Sequence, residues 1–142
     1  MRVHVLNGVN LDILGQRDPE MYGDVSLQDL ETQIYGWARD FGLQVRCRQT
    51  NHEGEYVEWL HDAYDGADAL VLNPAAWTHY SWAIRDAVEP FPGPIVEVHI
   101  SNIDDREEWR RQTVLSGLAH TRIVGRGIEG YRDALEVLLG LR

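Results

Sequence analysis

Apolar positions along the chain switch repeatedly between two periods. RVHVLN (2–7) reads as a short strand. In SLQDLETQIYGWARDFG (26–42), Leu27, Leu30, Ile34, Trp37, Ala38 and Phe41 recur at three- and four-residue spacing, which predicts a helix. Ser26 followed by Asp29 predicts its cap, and Gly42 its stop. LQVRCRQ (43–49) alternates like a strand, and GEYVEWLHDAYD (54–65) predicts a second helix with Val57, Leu60, Ala63 and Tyr64 inward. ALVLN (69–73) is uninterrupted and apolar, the mark of a strand covered on both faces. SWAIRDAV (81–88) predicts a third helix and PIVEVHI (94–100) a fourth strand. DDREEWRRQ (104–112) reads as a polar helical turn, TRIVG (121–125) as a less apolar fifth strand, and IEGYRDALEVLLGL (128–141) as a closing helix. No repeat, low-complexity tract or linker interrupts the pattern, so residues 1–142 read as a single domain of ordinary size.

Strand–helix alternation predicts an α/β fold with a parallel sheet covered by helices on both faces. Parallel strands end on one edge, and ligands bind there, near the switch in strand order. Strand one ends in Asn7-Gly8-Val9-Asn10, strand three in Asn73-Pro74-Ala75-Ala76-Trp77-Thr78-His79, and strand four in His99-Ile100-Ser101-Asn102. These side chains donate and accept hydrogen bonds, which suits a small polyhydroxylated or carboxylated ligand. Arg106 and Arg110 follow strand four, and an arginine fork holds a carboxylate. Glu97 lies on the same strand face as His99, placed to fix its tautomer. Each residue alone has a plainer reading: turn chemistry for asparagine, a structural hydrogen bond for histidine, a solvated face for the arginines. Their convergence on one edge is what makes a site. The segment LGQRDPEMYGD (14–24) after strand one reads as a loop carrying Arg17 and Tyr22 between Gly15 and Gly23.

Charge narrows the partners. The net charge is −10, and all 13 cationic side chains are arginines. A nucleic acid or an anionic membrane needs a basic face that this balance does not offer, whereas a small anion needs only a few convergent arginines. Cys47 is the one cysteine, so no intrachain disulfide forms; inside a strand it reads as a small buried hydrophobe. MRVHVLNGVN has no basic region leading into a long apolar stretch, and apolar runs stay far below the ~20 residues of a membrane span, so a cytoplasmic location is expected. The histidines show no metal-ligand spacing, and neither a G-x-G-x-x-G nor a phosphate-loop motif is present, so no metal or nucleotide cofactor is expected.

LNGVNLDILGQRDPEMYG, RQTNHEGEYVEWLHDA, VLNPAAWTHYSWAIRDA, IVEVHISNIDDREEWRRQTVLS and GIEGYRDAL, in that order, resemble the type II 3-dehydroquinate dehydratases, or type II dehydroquinases. The resemblance covers nearly the whole chain. It implies a flavodoxin-like three-layer sandwich on a five-stranded parallel sheet, assembled as trimers that form a homo-oligomeric dodecamer. It implies reversible, cofactor-free loss of water from the small-molecule substrate 3-dehydroquinate, by anti elimination through an enolate. The family's base falls on Tyr22 and its loop arginine on Arg17; the asparagine holding an enolate-stabilising water falls on Asn10, and the proton donor on His99 beside Glu97. Substrate contacts fall on Asn73, His79, Ile100, Ser101 and Arg110, with Arg106 near the loop and Asp86 reaching a neighbouring subunit's site. A free tyrosine, pKa near 10, is about one part in a thousand ionised at pH 7, and nearby cations raise that fraction. Arg17 and Arg106 are expected to do so once the loop closes over the site and excludes water.

The chain departs from the family pattern at Val9, where proline is usual, at Ala75, where glycine is usual, and at Trp82, where a smaller apolar residue is common. Arg122 and Arg126 replace residues expected to be apolar or small; they read as interface residues or as cations that snorkel to solvent. Two alternatives follow: the same chemistry on a related substrate, in quinate breakdown or on an amino-substituted dehydroquinate, or a non-catalytic ligand-binding relative. The intact set Asn10, Arg17, Tyr22, His99 and Arg110 speaks against the last.

Overall fold

The apolar runs become the five strands of one parallel sheet: β1 (Arg2–Asn7), β2 (Gln44–Gln49), β3 (Ala69–Asn73), β4 (Ile95–His99) and β5 (Thr121–Val124). Their spatial order is β2-β1-β3-β4-β5. The computed structural model describes residues 1–141. Five helices connect or cover the strands: α1 (Pro19–Tyr22), α2 (Leu27–Phe41), α3 (Glu53–Gly66), α4 (Trp82–Val88) and α5 (Glu129–Leu141). This is an α/β flavodoxin-like three-layer sandwich.

Strand alternation divides the core in two. Val3, Val5, Val71, Val96 and Val98 point to one face and pack against Leu30, Ile34 and Ala38 of α2 and Leu135 and Leu138 of α5. Leu6, Leu70, Leu72 and Ile95 point to the other and pack against Leu60 and Ala63 of α3 and Ile84 and Val88 of α4. β3 and β4 are buried along their whole length, as a strand covered on both faces must be, whereas the edge strand β5 is only half-buried. Helix α2 starts with the expected box: Ser26 Oγ accepts from Asp29 N at 3.0 Å and Asp29 Oδ2 from Ser26 N at 3.2 Å. It stops at Gly42, whose φ of 70° is one that glycine adopts without cost.

Three local expectations change. The inward face of α3 is centred on Tyr56, Leu60 and Ala63, with Val57 and Tyr64 only half-buried. Tyr56 is buried because its hydroxyl donates to the Leu6 carbonyl at 2.8 Å, which satisfies the polar atom. The segment after β1 is not irregular: a 3-10 turn spans Leu11–Gln16, and α1 follows with Asp18 as N-cap and Pro19 at its first position. The 104–112 stretch is two 3-10 turns, Ile103–Asp105 and Glu108–Arg111, separated where Arg106 turns extended.

The switch in strand order falls between β1 and β3, and Gly8 closes it. Its N–H donates to the Asn73 carbonyl at 2.8 Å, and a Cβ on Gly8 would collide with the Pro74 backbone. Gly8→Ala should therefore cost about 1–3 kcal/mol of stability, read as a lower midpoint in urea unfolding. An unchanged midpoint would mean that the β1 and β3 ends are not held this tightly.

Candidate active site

The carboxyl ends of β1, β3 and β4 surround one cleft, lined by Asn10, Arg17, Tyr22, Asn73, His79, His99, Ile100, Ser101, Arg106 and Arg110. Those ten are all residues singled out in the sequence. Glu97 sits beneath the cleft, behind His99. Asp86 does not reach the cleft of its own chain; it lies on the exposed side of α4 with Trp82, Arg85 and Glu89.

Tyr22 is the centre of one wall. It is buried, at 9% exposure, so the segment that carries it is closed over the cleft. Its hydroxyl oxygen accepts from Arg17 Nη2 at 2.7 Å and from Arg106 Nη1 at 2.6 Å. The Arg17 guanidinium also stacks over the ring, 3.9 Å from its centroid. An oxygen held by two cationic donors is stabilised when it carries negative charge. Arg106 Nε is buried without a hydrogen-bond partner among the described residues, a donor left over inside the site.

His99 forms the other wall. Its Nε2 lies 2.6 Å from Glu97 Oε2; a carboxylate can only accept there, so Nε2 carries the hydrogen and Nδ1 is left for the cleft. Glu97 also accepts from Thr113 Oγ1 at 2.9 Å and Thr78 Oγ1 at 3.3 Å. Burial pushes the Glu97 carboxyl up, but the His99 hydrogen bond and charge, the Thr113 hydroxyl and the Arg122 charge outweigh it and leave it below the usual carboxylate value. His79 stacks on His99 with centroids 6.3 Å apart and meets the edge of Trp109 at 5.2 Å. Its Nδ1 is 2.7 Å from the Gln112 carbonyl and must donate, so in the neutral ring Nε2 is an acceptor.

The floor is braced by two strand-end asparagines singled out in the sequence and by Tyr131, which was not. Asn73 Nδ2 donates to Tyr131 Oη at 2.9 Å, and that hydroxyl donates to Asn7 Oδ1 at 2.7 Å. This ties β1, β3 and α5 together beneath the cleft. Asn73 Oδ1 accepts from Ala75 N at 3.1 Å, an Asx turn that holds Ala75 at φ 57°. That is a left-handed conformation, which explains why glycine suits the position. Asn10 is also left-handed, at φ 71°, and its N–H donates to Asn51 Oδ1 at 2.8 Å. Val9, in place of proline, does not leave this turn unsupported. Gln49, the last residue of β2, and Asn51 just beyond it carried no site signal in the sequence, yet Gln49 Nε2 donates to Asn51 Oδ1 at 3.1 Å. Arg122 and Arg126 do not simply snorkel: they pair with Asp104 at 2.9 Å and Asp133 at 2.9 Å. The Cys47 thiol is pushed up to about 12 by burial and is inert as a nucleophile.

Burial holds both His4 and His79 below the free imidazole value of 6.5. As pH falls through 6.5 the unfolded chain takes up protons that the folded chain refuses. Their contribution to stability is therefore complete above that pH and is lost as pH falls toward the lower folded values. Unfolding free energy should drop between pH 7 and 5, by at most about 1.4 kcal/mol per pH unit for each group, and His79→Gln should flatten the slope. A slope unaltered in that variant contradicts the assignment.

The chain as a whole is similar to known proteins. The model of the family "Dehydroquinase class II" matches residues 1–139. A 3-dehydroquinate dehydratase from Salinispora arenicola is 53% identical over 135 residues, covering 95% of this chain and 94% of its own. One from Pelobacter propionicus is 47% identical over 135 residues, covering 94% and 91%. The crystal structure of the type II dehydroquinase from Propionibacterium acnes superposes with a TM-score of 0.94 at 43% identity, over 98% of this chain and 96% of that one. With the family model spanning nearly its whole length, the chain belongs to the class II dehydroquinase family.

Proposed function

We propose that this protein catalyses the reversible dehydration of 3-dehydroquinate to 3-dehydroshikimate, by anti elimination through an enolate and without a cofactor. The observation that carries the reading is the Tyr22 oxygen clamped between two arginines, across one cleft from a histidine that a buried glutamate holds. Tyr22, as phenolate, takes the proton from the carbon beside the ketone, and the C–H electron pair becomes the enolate. Arg17 and Arg106 stabilise the phenolate before the transfer. Asn10 holds the water that donates to the enolate oxygen. As the enolate collapses, the bond to the hydroxyl breaks, and His99 delivers its Nδ1 proton so that water leaves. Glu97 orients the ring and balances its positive charge. Neutral His79, Asn73, Ser101 and the Ile100 backbone position the substrate, and Arg110 binds its hydroxyl or carboxylate groups.

The reading extends to assembly. One domain spans residues 1–142, trimers build a dodecamer in the cytoplasm, and Asp86 serves the site of a neighbouring subunit. Its exposed place on α4, outside its own cleft, supports that role. A related substrate is the second reading, because Val9 and the Ala75 methyl both line the cleft. Assaying 3-dehydroquinate beside an amino-substituted analogue, by the ultraviolet absorbance of the conjugated product, separates the two.

Two substitutions test the roles. Tyr22→Phe should lower kcat at least 100-fold while a calorimetric Kd for the product changes less than about threefold. Near-full turnover in this variant removes Tyr22 as base. His99→Gln should depress kcat far more than it raises KM, and equal changes in both would reduce His99 to a binding residue.

A further inference from the structure

β5 carries an arginine where the strand pattern calls for an apolar residue, and the sheet register decides what it meets. Arg122 is the β5 partner of Glu97 in β4, so the two side chains leave the same face of adjacent strands. Arg122 Nε lies 3.9 Å from Glu97 Oε2. It is buried and has no hydrogen-bond partner among the described residues. The far end of the guanidinium is occupied: Nη2 and Nη1 donate to Asp104 at 2.9 and 3.4 Å. Glu97 for its part already accepts from His99, Thr78 and Thr113. What Arg122 brings to Glu97 is therefore charge at a fixed distance, in a place where the carboxylate is 1% exposed and solvent screens little.

We propose that Arg122 is a positioning residue for the His99–Glu97 pair: its guanidinium, anchored on Asp104, offsets part of the Glu97 charge and so sets how readily His99 releases its proton. This rests on the reading of His99 as general acid. A carboxylate hydrogen-bonded to an imidazolium holds the proton in place, and an uncompensated one holds it too firmly for efficient donation. The other groups facing the pair do not replace Arg122. His79, stacked on His99, is kept toward its neutral form by burial, and the Tyr56 phenol on α3 is pushed well up by burial and stays neutral. Arg111 acts on Asp104, Arg110 is paired with Glu107 at 2.6 Å, and Arg17 and Arg106 are committed to Tyr22.

The test follows His99 itself by NMR in ligand-free, histidine-labelled protein, with its signal identified by its loss in His99→Gln. In Arg122→Gln the His99 titration midpoint should rise by about half to one pH unit. In Asp104→Asn, which frees the guanidinium beside Glu97, it should fall. In the dehydration assay Arg122→Gln should lose several-fold in kcat at neutral pH with KM changed less than twofold. The alkaline limb of kcat should move up with the midpoint, and Arg122→Lys should recover most of the loss. A midpoint unmoved in Arg122→Gln overturns the proposal, whatever Asp104→Asn does, because Asp104 also acts on His99 directly; so does a kcat loss with an unshifted pH profile. The NMR titration needs no turnover: in a protein that dehydrates nothing, a shifted midpoint still upholds the electrostatic link and overturns only the catalytic reading of His99.

Discussion

Five strands running in one direction leave their carboxyl ends on one edge of the sheet, and every functional side chain here owes its neighbours to that constraint. Parallel strands need crossovers, the crossovers are helices, and helices on both faces force the central strands to be apolar until they emerge. Where β1, β3 and β4 emerge, the sequence turns to Asn, His and Ser within one or two residues. The pairing of Asn7 with Asn73 across β1 and β3 then brings both amides onto the same Tyr131 hydroxyl. A slip of one residue in that register would put the two amides on opposite faces and cost the phenol one of its partners.

The site is also a problem in buried charge. Glu97 is an ionised group inside a protein core, which is tolerable only when its oxygens are filled with donors and a cation is near. Two threonines, His99 and Arg122 meet that need from four stretches of chain that are separate in sequence. Across the cleft the opposite arrangement holds: two guanidiniums donate to the one Tyr22 hydroxyl oxygen. One wall carries a buried carboxylate and the other two guanidiniums, and the carboxyl ends of the strands hold both at one cleft.

The alternation of elements was legible because each core-facing stripe is long: Leu30, Ile34 and Ala38 in α2, or the unbroken ALVLN of β3. Strand-end polarity made most of the cleft legible too, since it needs only the direction of the strands. What was not legible depended on partners distant in sequence. Tyr56 turns inward because of a carbonyl 50 residues away. Arg122 is out of place in TRIV until its register with Glu97 is known. The helical turn at Tyr22 is signalled locally, by Asp18 before Pro19, but the glycines on either side are equally the mark of a loop. The helical turn expected over 104–112 is split in two because Arg106 leaves helical geometry, and the Arg106 guanidinium there reaches Tyr22.

The convergent arginines sit on a chain whose net charge is −10. A small carboxylate approaching from solution is thus repelled by the molecule as a whole and attracted only at the mouth of the cleft. Salt acts unequally on the two fields. The repulsion reaches over distances that an ionic atmosphere of about 8 Å at physiological strength erases, while the half-buried guanidiniums inside are shielded far less. Arrival of an anionic ligand is therefore quickened by moderate salt while its grip, once inside, is largely kept, the reverse of the usual behaviour when a protein and its ligand carry opposite charge.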